Sequence, residues 1–143
     1  MILTNNNVQL YFSFAEAFND RNYRQLDQLM ILDFVDHHPG LVDVTSLEVY
    51  KRNLAAIVDA LEMKARPEEV VASEDKIFTR IELTGKHVGR FLGIPATGQD
   101  VTWYTNELWR VENSKLVERW AVDDIYGLVS QLGIPLPTWE EPE

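Results

Sequence analysis

No cysteine occurs in the 143 residues, and that absence removes disulfide frameworks, thiolate nucleophiles and cysteine-based zinc sites in one step. Basic residues are scarce as well. Thirteen lysines and arginines stand against 23 aspartates and glutamates, a formal net charge of −10. Phosphate backbones and anionic lipid are bound through basic faces that release counterions, so neither nucleic acid nor a membrane surface is an expected partner. Long apolar runs are missing too, and no stretch is long enough to span a bilayer. The segment from Met1 to Gln9 lacks the basic start and continuous apolar run of a signal peptide, and a cytoplasmic location is expected.

Metal and cofactor signatures are also lacking. His37 and His38 are adjacent and diverge on a strand, and no H-E-x-x-H helix or comparable ligand spacing exists. Gly89, Gly93 and Gly98 do not open a helix after a strand, so they form no phosphate or dinucleotide loop, and no serine stands in a nucleophile elbow. The expectation is an absence of metal and cofactor.

What is present fits one globular domain spanning residues 1–143, with 45% hydrophobic residues to build its core. Val8, Tyr11, Phe12, Ala15 and Phe18 recur at helical spacing, and a second, shorter helix is read from Tyr23 to Met30. Phe34-Val35 suggest a brief strand that Pro39-Gly40 stop. Thr45 and Glu48 read as a capping box opening a long amphipathic helix through Leu61. After Pro67 the pattern turns to strands: Val70–Ala72, Lys76–Thr84, a short one near His87–Phe91, then Val101–Val111 and Lys115–Asp123 around a turn at Asn113-Ser114. A last helix runs from Ile125 to Leu132. Three helices followed by antiparallel strands give an α+β order, predicting a cone-shaped domain in which a curved, mostly antiparallel sheet wraps around the N-terminal helices.

The stretch Gly85 to Gly98, the Arg110 to Leu116 turn, and Glu118, Trp120, Asp124, Gly127 and Gln131-Leu132-Gly133 resemble SnoaL-like polyketide cyclases of the nuclear-transport-factor-2-like superfamily. That resemblance implies a cone fold and a cofactor-free intramolecular aldol condensation, or a related isomerisation, on an apolar polyketide-like ester. It also implies one aspartate as acid/base, at the position that falls on Asp124 rather than Asp123. Val35 to Pro39 is similar to the family's early histidine segment and puts His37 near the pocket mouth, although either member of the His37-His38 pair can face the pocket. Assembly through the exposed sheet face, as a homodimer or a tetramer, is implied in the same way. Relatives usually place glycine in the turn where this chain has Ser114, which must then tolerate an unusual backbone angle.

An aspartate in apolar surroundings gains proton affinity, and enolate chemistry needs that base together with hydrogen-bond donors. Asp124 is the expected base, with the structural alternative that it only caps the last helix. His37, Trp120, Asn106 and Tyr104 are the expected donors, and His87 and Asn53 are further candidates for the substrate pocket. A three-residue loop, Glu112 to Ser114, would set Tyr104, Asn106, Leu108 and Arg110 on the face of Trp120 and Asp124, pair Arg110 with Glu118 and leave Glu107 free to face water or a partner chain; a two-residue loop would put Trp103, Glu107 and Trp109 there. Two rival readings remain: a non-catalytic binder of a small hydrophobic compound, and an interaction module using Trp103, Trp109 and Trp139.

Overall fold

The computed structural model describes residues 6–38, 42–140 and 142–143. Its elements run α1 (Asn6–Asn19), a 3-10 turn (Tyr23–Gln25), α2 (Leu26–Leu29), β1 (Met30–His37), α3 (Leu47–Leu61), β2 (Lys64–Ala72), β3 (Lys76–Lys86), β4 (Asp100–Glu112), β5 (Lys115–Asp123) and α4 (Ile125–Gln131). One five-stranded sheet has the order β1-β5-β4-β3-β2. Three of its four pairings are antiparallel, and β1 lies parallel to β5. The expected α+β architecture is therefore present, as a curved mixed sheet that is not closed.

Helix α1 buries Tyr11, Phe14, Ala15, Ala17 and Phe18 while Phe12 turns outward. Trp109 of β4 sits against Tyr11, Phe14 and Phe34, with ring centroids 6.2, 4.9 and 5.9 Å away. Four large rings meeting at the centre supply a major share of the apolar area that holds helix to sheet. Helix α3 repeats the pattern through Leu47, Tyr50, Val58 and Leu61. Gly85 of β3 lets the end of α3 approach, because a Cβ there would stand 2.0 Å from the Leu61 carbonyl oxygen.

Several local expectations change. The second helix shrinks to a 3-10 turn and one helical turn, because Met30 already belongs to an eight-residue β1. Ser46, not Thr45, caps α3, accepting from the Val49 amide at 3.2 Å. Pro67 lies inside β2 rather than before it; β2 is an edge strand with a bulge between Pro67 and Glu69, the setting in which a missing N–H is tolerated. No strand forms at His87–Phe91. That segment is a folded loop in which the His87 amide donates to Gln99 O and the Gly98 amide to His87 O. Pro39 and Gly40 lie outside the described residues.

The hairpin between β4 and β5 decides which side chains face inward. Its loop has two residues, Asn113 and Ser114, at φ 50° and 61°, with Glu112 paired to Lys115. Val111 pairs with Leu116, but Arg110 pairs with Glu118, so Val117 is an extra residue, and both Leu116 and Val117 are buried. A two-residue turn plus a bulge thus puts Tyr104, Asn106, Leu108 and Arg110 on the face of Trp120, as a three-residue loop would, but with the pairing displaced by two residues: Leu108 lies opposite Trp120 and Arg110 opposite Glu118. The consequence differs from expectation, however, because that face is the outer one.

Candidate active site

A cavity of about 620 Å3 opens between the inner sheet face and helices α1, α3 and α4. Most of its wall is apolar, including Phe14, Phe18, Leu54, Met63, Leu83 and Ala121. Its volume falls within the range of small-molecule sites. The charged groups of the wall are contributed by β1 with the residue that follows it, β4 and β5.

Alternation along β1, continued one residue past its end, sends Phe34, Asp36 and His38 inward and His37 outward. His38 Nδ1 lies 3.3 Å from Asp36 Oδ2, and its Nε2 lies 3.6 Å from Asp123 Oδ1. Those two carboxylates raise the imidazole from its ordinary value to about 9 despite partial burial, so it is an imidazolium at neutral pH. Asp123 also accepts from the Thr105 hydroxyl at 2.7 Å and from Trp103 Nε1–H at 3.3 Å. Burial works against its ionisation, but His38, Arg119 and Thr105 outweigh burial and hold the carboxyl below its usual range.

Behind this pair lies a second layer of charge. Arg119 donates to Asp36 Oδ1 at 2.9 Å and to Glu107 Oε2 at 2.5 Å. Glu107 Oε1 accepts from the Tyr11 hydroxyl at 3.1 Å and the Thr79 hydroxyl at 2.9 Å. Burial opposes the ionisation of Asp36 too, yet Arg119 and His38 more than compensate and keep it low. The result is a connected network, Tyr11–Glu107–Arg119–Asp36–His38–Asp123, in which each carboxylate has a cationic neighbour or a hydrogen-bond donor.

The expected site residues divide between the two faces. The Asp124 side chain does not enter the cavity. It caps α4, accepting from the Gly127 amide at 2.9 Å, and a Cβ on residue 127 would stand 2.3 Å from its Oδ2. The expectation that Asp124 faces apolar surroundings is corrected: residues 119, 121 and 123 point inward, whereas Asp124 follows the strand as an exposed helix cap. His37 lies on the outer face, stacked on Trp120 at 5.3 Å and bonded to Asp43 and Glu118, each at 2.7 Å. Tyr104 donates to Glu82 and lies under the Arg80 guanidinium, again outside. Asn106 and Trp120 are exposed on that same face.

His87 is neither on an exposed edge nor in the cavity wall. It is fully buried, with Nδ1 accepting from the Thr97 amide at 3.2 Å. Asn53 does line the cavity, from α3. Of the three tryptophans considered for an interaction surface, Trp103 and Trp109 are buried, and Trp139 alone is exposed. Arg110 does pair with Glu118, at 3.0 Å. The residues that sequence reasoning missed are Asp36, Tyr50, Thr105 and Arg119, and two that it set aside are also inside: Glu107, expected to face water, is buried, and Asp123, passed over for Asp124, lines the cavity. For those on β4 and β5 the signal was present in the alternation, where Thr105, Glu107 and Arg119 share a face with Trp109; taking Trp120 as the inward residue inverted it.

Comparison with known proteins agrees with this architecture. A family model described as SnoaL-like polyketide cyclase matches residues 8–132. The aklanonic acid methyl ester cyclase DnrD of Streptomyces peucetius is 26% identical over 140 residues, covering 93% of this chain and 94% of that protein. The aklanonic acid methyl ester cyclase AcmA of Streptomyces galilaeus is 32% identical over 108 residues, covering 72% of this chain and 75% of its own. The crystal structure of IdmH from Streptomyces antibioticus superposes with a TM-score of 0.78 at 26% identity, covering 88% of this chain and 97% of that one. The match over most of the length, joined to the curved sheet and its enclosed cavity, shows that the chain belongs to the SnoaL-like polyketide cyclase family.

Proposed function

We propose that this protein is a ring-forming cyclase that draws both its base and its acid from its own side chains, the Asp123–His38 pair, and acts on an apolar, polyketide-like ester. The observation carrying this reading is that an anionic carboxylate and an imidazolium stand 3.6 Å apart in the wall of a largely apolar cavity. Asp123 would take a proton from a carbon flanked by carbonyl groups. The carbanion then attacks a second carbonyl carbon of the same molecule, a carbon–carbon bond forms, and the new alkoxide takes the proton of His38. Proton transfer from Asp123 to His38 restores the starting pair. A carboxylate held below its usual range is a mild base, which suits a carbon acid activated on two sides.

The test is incubation with aklanonic acid methyl ester, the compound in the names of the relatives, followed by chromatographic detection of an isomer of unchanged mass. Asp123→Asn, still folded, is expected to lose at least about a hundredfold in rate, the usual contribution of a positioned acid or base. Full turnover by that variant removes the assignment. A storage or sensing role is favoured by one specific feature, namely that both oxygens of Asp123 already accept hydrogen bonds. Tight binding of the ester without ring closure supports that second reading.

Val71, Phe78, Leu108 and Trp120 form a continuous row across β2 to β5 on the outer face, each paired to the next and each well exposed. Such a row suits burial against a second copy, and a homodimer through this face is part of the proposal. Light scattering that shows only monomer at working concentration argues against it.

A further inference from the structure

Two tyrosine hydroxyls approach the buried charges of the cavity, and they differ in one respect. Tyr11, on α1, donates to Glu107. Tyr50, on α3, is 5% exposed and lines the same cavity, yet its hydroxyl has no hydrogen-bond partner among the described residues. Its ring is fixed edge-on against Phe34 at 5.0 Å. Among the described residues, the side-chain polar atoms sealed off with no partner are the Tyr23 hydroxyl, His87 Nε2 and Trp109 Nε1; the Tyr50 hydroxyl is not among them, so it meets cavity space rather than packed atoms.

A buried hydroxyl without a protein partner costs free energy that a ligand can recover. Potential acceptors in the protein are already engaged. Asp36 serves Arg119 and His38, Glu107 serves Tyr11, Thr79 and Arg119, and Asp123 serves Thr105, Trp103 and His38. The hydroxyl also stays a donor. Burial pushes the phenol far above its ordinary value, and although Arg119 pulls it down, Asp36, Glu107 and Asp123 add to the rise. A phenol held neutral beside carboxylates and open to an apolar cavity is set to receive an oxygen that bears partial negative charge.

We infer that Tyr50 is a substrate-contacting residue whose hydroxyl donates a hydrogen bond to a ligand carbonyl oxygen, orienting that carbonyl toward the Asp123–His38 side of the cavity. The placement at a carbonyl rests on the acid/base reading of the site; the presence of a donor does not. In ring closure, the same bond would strengthen as charge gathers on the enolate oxygen, which is the way a fixed donor lowers a barrier.

The experiment uses two unreactive tricyclic probes, 9-fluorenone and fluorene, which differ by one carbonyl. Affinities are measured by calorimetry and the bound ketone by its infrared carbonyl stretch. Tyr50→Phe is expected to weaken fluorenone about tenfold, leave fluorene unchanged, move the carbonyl band toward its position in an apolar solvent, and melt no lower than the parent protein. Equal affinity for fluorenone in both proteins overturns the inference, as does equal loss for the two probes or a failure of the parent to bind fluorenone. A markedly lower melting temperature for Tyr50→Phe overturns it too, since the hydroxyl would then have a structural partner. Neither probe turns over, so these outcomes are independent of Asp123→Asn activity: a cyclase reading that fails at Asp123 leaves the Tyr50 result standing, and the reverse also holds.

Discussion

The two faces of strands β4 and β5 carry similar chemistry in opposite circumstances. On the inner face Arg119 is held between Glu107 and Asp36, and His38 between Asp36 and Asp123, all with little or partial exposure. On the outer face Arg110 is held between Glu112 and Glu118, and His37 between Glu118 and Asp43, with water at hand. Each face therefore has one arginine and one histidine bridging carboxylates. Burial separates them. An exposed ion pair contributes little because solvent and salt screen it, whereas a buried one is strongly interdependent, since removing a partner strands a charge. A motif of charged residues thus says little until its face is known.

The sharpest way to break the comparison is to remove the two arginines in parallel. Arg119→Met should leave Glu107 and Asp36 without their cation inside the fold and destabilise the protein by roughly 3–5 kcal/mol. Arg110→Met should cost no more than about 1 kcal/mol. Urea denaturation of both variants reads this directly, and equal losses would mean that the inner network is as well solvated as the outer one.

A second contrast uses pH. His38 has a folded value of about 9, above its ordinary 6.5. Its contribution to stability is therefore complete below about pH 6.5 and is lost as pH rises through about 9, a change on the order of 2–3 kcal/mol. Asp36 and Asp123 are shifted the other way, so their contributions hold above the ordinary carboxylate range and disappear only in stronger acid. Stability measured from pH 6 to pH 10 should decline in the parent and much less in His38→Gln. His37 is also raised, by Glu118 foremost and by Asp43, with burial opposing, but its carboxylate partners are better solvated than those of His38, and His37→Gln should keep most of the decline. A flat profile in the parent protein would contradict the ion-paired His38.

Much of the scaffold was legible in the sequence. Period-two alternation located β3, β4 and β5 almost to the residue, and the three-and-four spacing located α1 and α3, because long periodic segments leave few alternatives. The bulged hairpin was legible only in which residues share a face, and its pairing was not, since Val117 carries no mark that distinguishes a bulge from a longer turn. The assignment of inside and outside failed for a physical reason: both faces of β5 carry a large aromatic neighbour and charges, with Trp109 across from Arg119 and Leu108 across from Trp120. Composition does not rank them. Buried glutamate and arginine oppose the usual rule that such residues lie outside, and only the packing of α1 against Trp109 shows which face the core takes. His37 is the pocket histidine expected from the sequence, with His38 as its alternative, and the structure selects the alternative, since one residue of register decides between them.

The smallest expected effect tests what the neighbouring aspartates do. Asp123 and Asp124 are adjacent in sequence, yet one has its carboxylate inside the cavity and the other closes the first turn of α4. The spacing Asp124-x-x-Gly127 is that of a helix cap, in which the carboxylate oxygen takes the third amide and the absent Cβ of the glycine leaves it room. Asp124→Ala should then cost about 1 kcal/mol of stability, while Asp124→Asn, which still offers an oxygen, should cost only a fraction of that. Neither change should alter ring closure or fluorenone affinity beyond what the lost stability explains. If Asp124→Asn were instead to abolish turnover in a protein that melts normally, the acid/base role would move from Asp123 to its neighbour, and α4 would have to open for that carboxylate to reach the cavity.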